Sequence, residues 1–169
     1  MGKLTDLAAR HALWLVVLAS AGALATALVA QYGFDLQPCV LCVYQRWPYV
    51  VAAGLAVLGL VFVPDPRGRA LVLALAGLAF AASAAIAGFH VGVEQHWWQG
   101  TTACGGGGTP DSLEALRNQI LGAPVVRCDD IAWQLFGVSM AGYNFLYAGG
   151  LAAASLILAW RRGVREGGA

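Results

Sequence analysis

QPCVLCVYQRWPYVV, residues 37–51, places a Cys-x-x-Cys pair directly before a long apolar run, with an arginine four residues after the second cysteine. Two thiols and a permanent charge at the mouth of an apolar segment need a reason, and the rest of the chain supplies the setting. Of 169 residues, 59% are hydrophobic and only 11% charged, against about 25% charged in an ordinary soluble domain. The apolar excess collects in four runs, 13–30, 43–63, 70–89 and 143–160, none containing Asp, Glu or Lys. Each approaches or reaches the roughly 20 helical residues that cross a hydrocarbon core. A soluble bundle would need a polar face on every helix, and these runs lack one. Lipid demands that backbone polar groups be satisfied within the segment, so the runs read as helices. The expected fold is all-α: a membrane four-helix bundle, one integral membrane domain over 1–169, with outer loops 31–42 and 90–142.

Charge distribution orients the bundle. Lys3 and Arg10 precede the first run, Arg67 and Arg69 lie between the second and third, and Arg161, Arg162 and Arg165 follow the fourth. The positive-inside rule puts these three pieces, and both termini, in the cytoplasm. The N-terminal apolar run is longer than the 7–15 residues of a signal core, so it reads as a retained helix. The net charge of +1 carries no signal for nucleic acid, and no such partner is expected.

The long outer segment contains HWWQGTTACGGGGTPD, 96–111. Its paired tryptophans suit a membrane–water interface, and the four glycines after Cys104 loosen the chain there. Asp111 and Glu114 form a capping box. Leu113, Leu116, Ile120 and Leu121 then fall on one face, which predicts a short amphipathic helix on the outer membrane surface. In the third run Gly77, Ala81 and Ala85, and again Ala84 and Gly88, recur at four-residue spacing and predict close helix packing.

All four cysteines, Cys39, Cys42, Cys104 and Cys128, fall on the outer side, where in bacteria disulfides persist. Cys-x-x-Cys closes too small a ring to be a useful staple. It suits redox work, because a helix N-terminus favours the thiolate. Arg46, at i+4 from Cys42, falls on the same helix face and would stabilise a Cys42 thiolate or the anion developing on an acceptor. Cys104 and Cys128, separated by the glycine run and the surface helix, form a second candidate pair, exposed and easily opened. Electrons entering there could pass to the Cys-x-x-Cys by thiol–disulfide exchange and leave to a lipid-soluble quinone, since no haem, flavin or iron–sulfur motif is present. A structural Cys₄ zinc site usually needs two close-spaced pairs, and only one has that spacing. Four cysteines permit three connectivities.

PCVLCVYQR, 38–46, together with the four spans, inside termini, short outer loop and cysteine-bearing long loop, resembles the DsbB family of bacterial disulfide-bond formation proteins. The resemblance covers nearly the whole chain. It implies a thiol:quinone oxidoreductase of the bacterial inner membrane that reoxidises a periplasmic DsbA-like thiol oxidase, the known DsbA–DsbB–quinone route. It implies that the partner attacks Cys104, that Cys128 engages Cys39, and that Cys42 passes electrons to ubiquinone or menaquinone. It assigns Arg46 to the quinone site, with His90 and Gln95 as polar positions near it. Gln45 stands where some relatives carry an acid, and the glycine run is not part of the family signature. Two alternatives differ in kind. A zinc-binding or disulfide-stapled membrane scaffold would have inert cysteines. A vitamin K epoxide reductase-like protein carries its active Cys-x-x-Cys late in the bundle, whereas here it opens the second span.

Overall fold

The computed structural model describes residues 2–104, 113 and 126–167. Helix α1 runs over Gly2–Gly33, α2 over Val40–Phe62, α3 over Pro66–Glu94 and α4 over Met140–Gly167. Strands β1 (Gln134–Leu135) and β2 (Val138–Ser139) pair antiparallel just before α4. All four helices are long and apolar enough to cross a membrane. Their surface is inverted relative to a soluble bundle: Leu15, Leu18, Val61, Phe62 and Leu146 are exposed, while Ser20, Gln45, Ser83 and Ser155 are buried. Lipid as the surrounding solvent accounts for that arrangement, because polar groups then find their partners only inside the protein.

Sequence signals set the helix ends. Asp65 caps α3, its carboxylate accepting from the Gly68 amide at 2.5 Å, with Pro66 in the first turn. There the missing proline N–H costs nothing. Cys39 caps α2, its sulfur accepting from the Cys42 amide at 3.2 Å. The Cys-x-x-Cys therefore spans the N-cap and first turn of α2, three residues before the start expected from hydropathy. At its far end α3 outruns its apolar stretch by five residues, so His90 and Glu94 lie on helix and not in the loop. The extension is stable because both side chains are partnered inside the protein. The β1–β2 hairpin turns at Phe136 and Gly137, both at positive φ (51° and 77°), as a two-residue hairpin turn requires.

Helix α3 is the central element, packed on α4, α2 and α1. Small residues permit the close approach: a Cβ on Gly77 would stand 2.9 Å from Leu156 of α4, and one on Gly59 2.9 Å from Val72 of α3. Ala84 is buried, whereas Ala85 is exposed, so only part of the small-residue pattern serves packing. Leu13, Tyr49, Phe80, Ala52 and Ala148 form the centre of the core. The expected amphipathic surface helix, with Asp111, Glu114, Leu116, Ile120 and Leu121, lies outside the described residues. Leu113, which is described, is exposed.

Candidate redox site

The end of α1, the start of α2, the end of α3 and the start of α4 meet at one end of the bundle, and the cysteines collect there. Cys39 and Cys42 approach with their sulfurs 2.8 Å apart, both free. Cys104 and Cys128 are joined in a disulfide. Cys39, Cys104 and Cys128 share one buried cluster with Leu41 and Val93, and Cys42 packs against it. The loop pair is thus seated directly on the helix pair. It is not exposed, as the sequence had suggested: Cys104 is 5% exposed and Cys128 fully buried. The reason is the tight fit against the turn after α3, where a Cβ on Gly100 would come within 2.9 Å of the Cys104 Cβ. Cys104 instead borders a hollow of about 630 Å³ that is also lined by Trp97, Trp98, Thr101 and Asp129.

His90 stands between the two pairs. Its Nε2 lies 3.5 Å from Cys39 Sγ, 3.2 Å from the Cys128 carbonyl oxygen and 3.9 Å from Glu94 Oε1. Its Nδ1 lies 3.0 Å from Gln45 Nε2. Glu94 also accepts from the Ser139 hydroxyl, and Ser139 caps α4 by accepting from the Gly142 amide. The start of α4 is so tied to the end of α3. The Cys39 thiol is held well below the usual thiol range. The largest cause is the hydrogen bond with the Cys42 thiol; burial opposes it, and the His90 ring adds to the lowering. Beside Cys128, Arg127 and Asp129 form a two-point ion pair at 2.9 and 2.6 Å. Asp130 lies 4.0 Å from the same guanidinium, so one arginine faces two carboxylates beside Cys128.

Arg46 Nη1 donates to Gln31 Oε1 of α1 at 2.7 Å. Half-buried and held by a protein partner, the guanidinium is not simply reaching for the headgroups. It lines, with Cys42, a cavity of about 520 Å³ between α1, α2 and α4. Gly22, Ala23 and Ala27 form one wall, and Tyr49, Tyr143, Asn144 and Tyr147 contribute to the others. A smaller cavity reaches Cys39, Cys42, Arg46, His90 and Glu94 together.

The family model for "Disulfide bond formation protein DsbB" matches residues 9–158. The chain belongs to the DsbB family. A Disulfide bond formation protein B from Xanthomonas campestris pv. campestris is 31% identical over 156 residues, covering 88% of this chain and 90% of the relative. One from Psychrobacter sp. is 29% identical with the same coverage. One from Neisseria gonorrhoeae is 38% identical over 53% of each chain. No solved structure matches significantly.

For this DsbB-family chain, the structure brings Cys39, Cys42, Cys104, Cys128, Arg46 and His90 to one region. It does not bring Gln95, whose backbone caps α3 while its side chain is exposed. The buried amide beside His90 is Gln45. Glu94 and Asn144 also belong to the site and had not been singled out. The signal for Asn144 was present: it is a polar residue inside an apolar span. Cys39, Cys42 and His90 offer three ligand atoms within 4.8 Å of one another. With Cys104 and Cys128 bonded to each other, four thiolates are not presented to one ion.

Proposed function

We propose that the protein is a protein-dithiol:quinone oxidoreductase of the bacterial inner membrane. It reoxidises a DsbA-like thiol oxidase outside that membrane. The observation that carries this reading is the seating of the Cys104–Cys128 disulfide on the Cys-x-x-Cys, with a cavity reaching Cys42 and Arg46 on the other side. A partner thiolate attacks Cys104 Sγ; the Cys104–Cys128 bond breaks and its electron pair goes to Cys128. The Cys128 thiolate attacks Cys39 of an oxidised helix pair, and Cys42 leaves as thiolate near Arg46. The partner's second thiolate then attacks its own mixed disulfide, releasing oxidised partner and a Cys104 thiolate. Cys104 attacks Cys128, restoring the loop disulfide and expelling Cys39.

Ubiquinone or menaquinone fits the cavity of about 520 Å³ that Cys42 and Arg46 line. Its volume lies within the range of about 300–1,000 Å³ typical of small-molecule sites, its walls are mainly apolar and aromatic, and Arg46 places a positive charge beside the sulfur. A bound quinone supplies a two-electron, two-proton acceptor. The chain's contribution is to hold Cys42 at the cavity wall and to anchor Arg46 through Gln31. The basic tails and the 64–69 connection belong in the cytoplasm, which leaves the cysteines outside.

Trapping tests the partner step. The oxidase lacking its second cysteine is added, as its mixed disulfide with a small aromatic thiol, to protein carrying Cys128→Ser; the Cys104 thiolate displaces that thiol, and both resolving thiols are missing. A mixed disulfide through Cys104 should then persist on a non-reducing gel. Cys104→Ser with Cys128 intact should trap much less. Equal or greater trapping through Cys128 would reverse the assigned direction.

A further inference from the structure

Between the cysteines and the cavity that Cys42 and Arg46 line runs a chain of buried and part-buried hydrogen bonds whose polarity is fixed by its ends. At one end the Ser83 hydroxyl donates to the main-chain carbonyl of Gln45 at 3.0 Å. A carbonyl oxygen only accepts, so Ser83 Oγ is left to accept. It does so from Asn144 Nδ2 at 3.4 Å. That sets the Asn144 amide: Nδ2 also donates to Gln45 Oε1 at 2.7 Å, while Oδ1 accepts from the Tyr49 hydroxyl at 2.6 Å. Gln45 must then turn its Nε2 to His90 Nδ1, 3.0 Å away. Nδ1 is the acceptor, so the ring proton of a neutral imidazole sits on Nε2. There it faces a second main-chain carbonyl, that of Cys128 at 3.2 Å, and Cys39 Sγ at 3.5 Å. Every donor in the chain meets an acceptor, and both ends close on groups that only accept. Ser83, Gln45, Tyr49 and His90 are all buried, so water does not replace these partners cheaply.

We propose that Asn144 and Gln45 are positioning residues that hold His90 in its Nε2–H tautomer, so that a hydrogen-bond donor stands at Cys39 when that sulfur leaves. The proposal deepens the function argued above and rests on it. The step served is the last exchange: the Cys104 thiolate attacks Cys128, the Cys39–Cys128 bond breaks, and its electron pair goes to Cys39 Sγ. A donor already aimed at the sulfur stabilises the charge that develops there without reorganising. With the proton on Nδ1 instead, a lone pair would face the leaving thiolate and repel it.

The test uses the full-length protein, quinone-free and labelled with ¹⁵N-histidine. The His90 signals are assigned by loss in His90→Phe, at a pH about two units above the ordinary imidazole value near 6.5. Wild type should show the Nε2–H tautomer. Asn144→Asp keeps the shape and the acceptor for Tyr49 but has no N–H for Gln45. The Gln45 amide should therefore flip and present Oε1 to His90, moving the ring proton to Nδ1. Asn144 reaches His90 through Gln45, so a role in packing alone would not move that proton. In the same variant, a rapid-quench single turnover with reduced partner should show loss of the Cys39–Cys128 species slowed by roughly tenfold, the scale of one charge-assisted hydrogen bond. Nδ1–H in wild type, or Nε2–H retained in Asn144→Asp, overturns the proposal. Should that variant fail to fold, the wild-type tautomer alone decides. Quinone reduction by the wild type is measured beside it: failure there defeats the functional reading, whereas a wrong tautomer with intact quinone reduction defeats only this inference.

Discussion

Arg46 is the residue whose role depends most on its partner. An arginine near a helix start ordinarily extends to the headgroups. Here Gln31 of α1 accepts its Nη1 proton at 2.7 Å, which keeps the charge at the wall of the cavity that Cys42 also lines. A fixed positive charge favours anionic character on a nearby sulfur or acceptor, and no neutral side chain reproduces that. Arg46→Met should leave the fold intact and raise the apparent Michaelis constant for quinone by roughly tenfold or more, the equivalent of one hydrogen bond to a charged group. Steady-state kinetics across quinone concentration read this directly, and an unchanged constant would return Arg46 to an interfacial role. Cys39 shows the complementary effect: an N-cap sulfur that accepts from the Cys42 amide is placed where negative charge is favoured.

Among the elements, α3 does most to bring the site together, because its packing places His90 and Glu94 beneath the loop disulfide. Gly77 is the position at which that packing is most sensitive. A side chain there would meet Leu156 and Ser155 of α4 at 2.9–3.2 Å, and overpacking of this kind costs about 1–3 kcal/mol. Gly77→Leu should lower the thermal midpoint of the purified protein, whereas Ala85→Leu, at an exposed position, should leave it nearly unchanged. Equal effects would mean that α3 and α4 do not approach as described. The spans and the Cys-x-x-Cys were legible because hydropathy and spacing are local. The seating of one cysteine pair on the other was not, since residues far apart in sequence meet only once the helices pack. Gln95 and Gln45 illustrate the difference. Both are glutamines near a helix end, but Gln95 falls one residue beyond α3 and points outward, while Gln45 faces inward in the second turn of α2 and meets His90. No rule of composition separates them; helix phase and the neighbouring helix do.

For the whole molecule, orientation and electron flow are one problem. The proposed relay requires the cysteine-bearing end to face an oxidising compartment and the basic end the cytoplasm. A fluorescent protein fused to the C-terminus should fluoresce in cells, and alkaline phosphatase fused after Gly100 should be active. The opposite pattern would place the cysteines in a reducing compartment and end the relay reading. The central claim is that two electrons cross from a soluble dithiol to a membrane quinone through the two cysteine pairs. The direct measurement is quinone reduction by the purified protein, driven by a reduced DsbA-like oxidase and followed by loss of quinone absorbance. The account predicts one quinone reduced per partner disulfide formed, with turnover abolished by Cys42→Ser. Partner oxidation without quinone loss, or quinone reduction that survives Cys42→Ser, would contradict it.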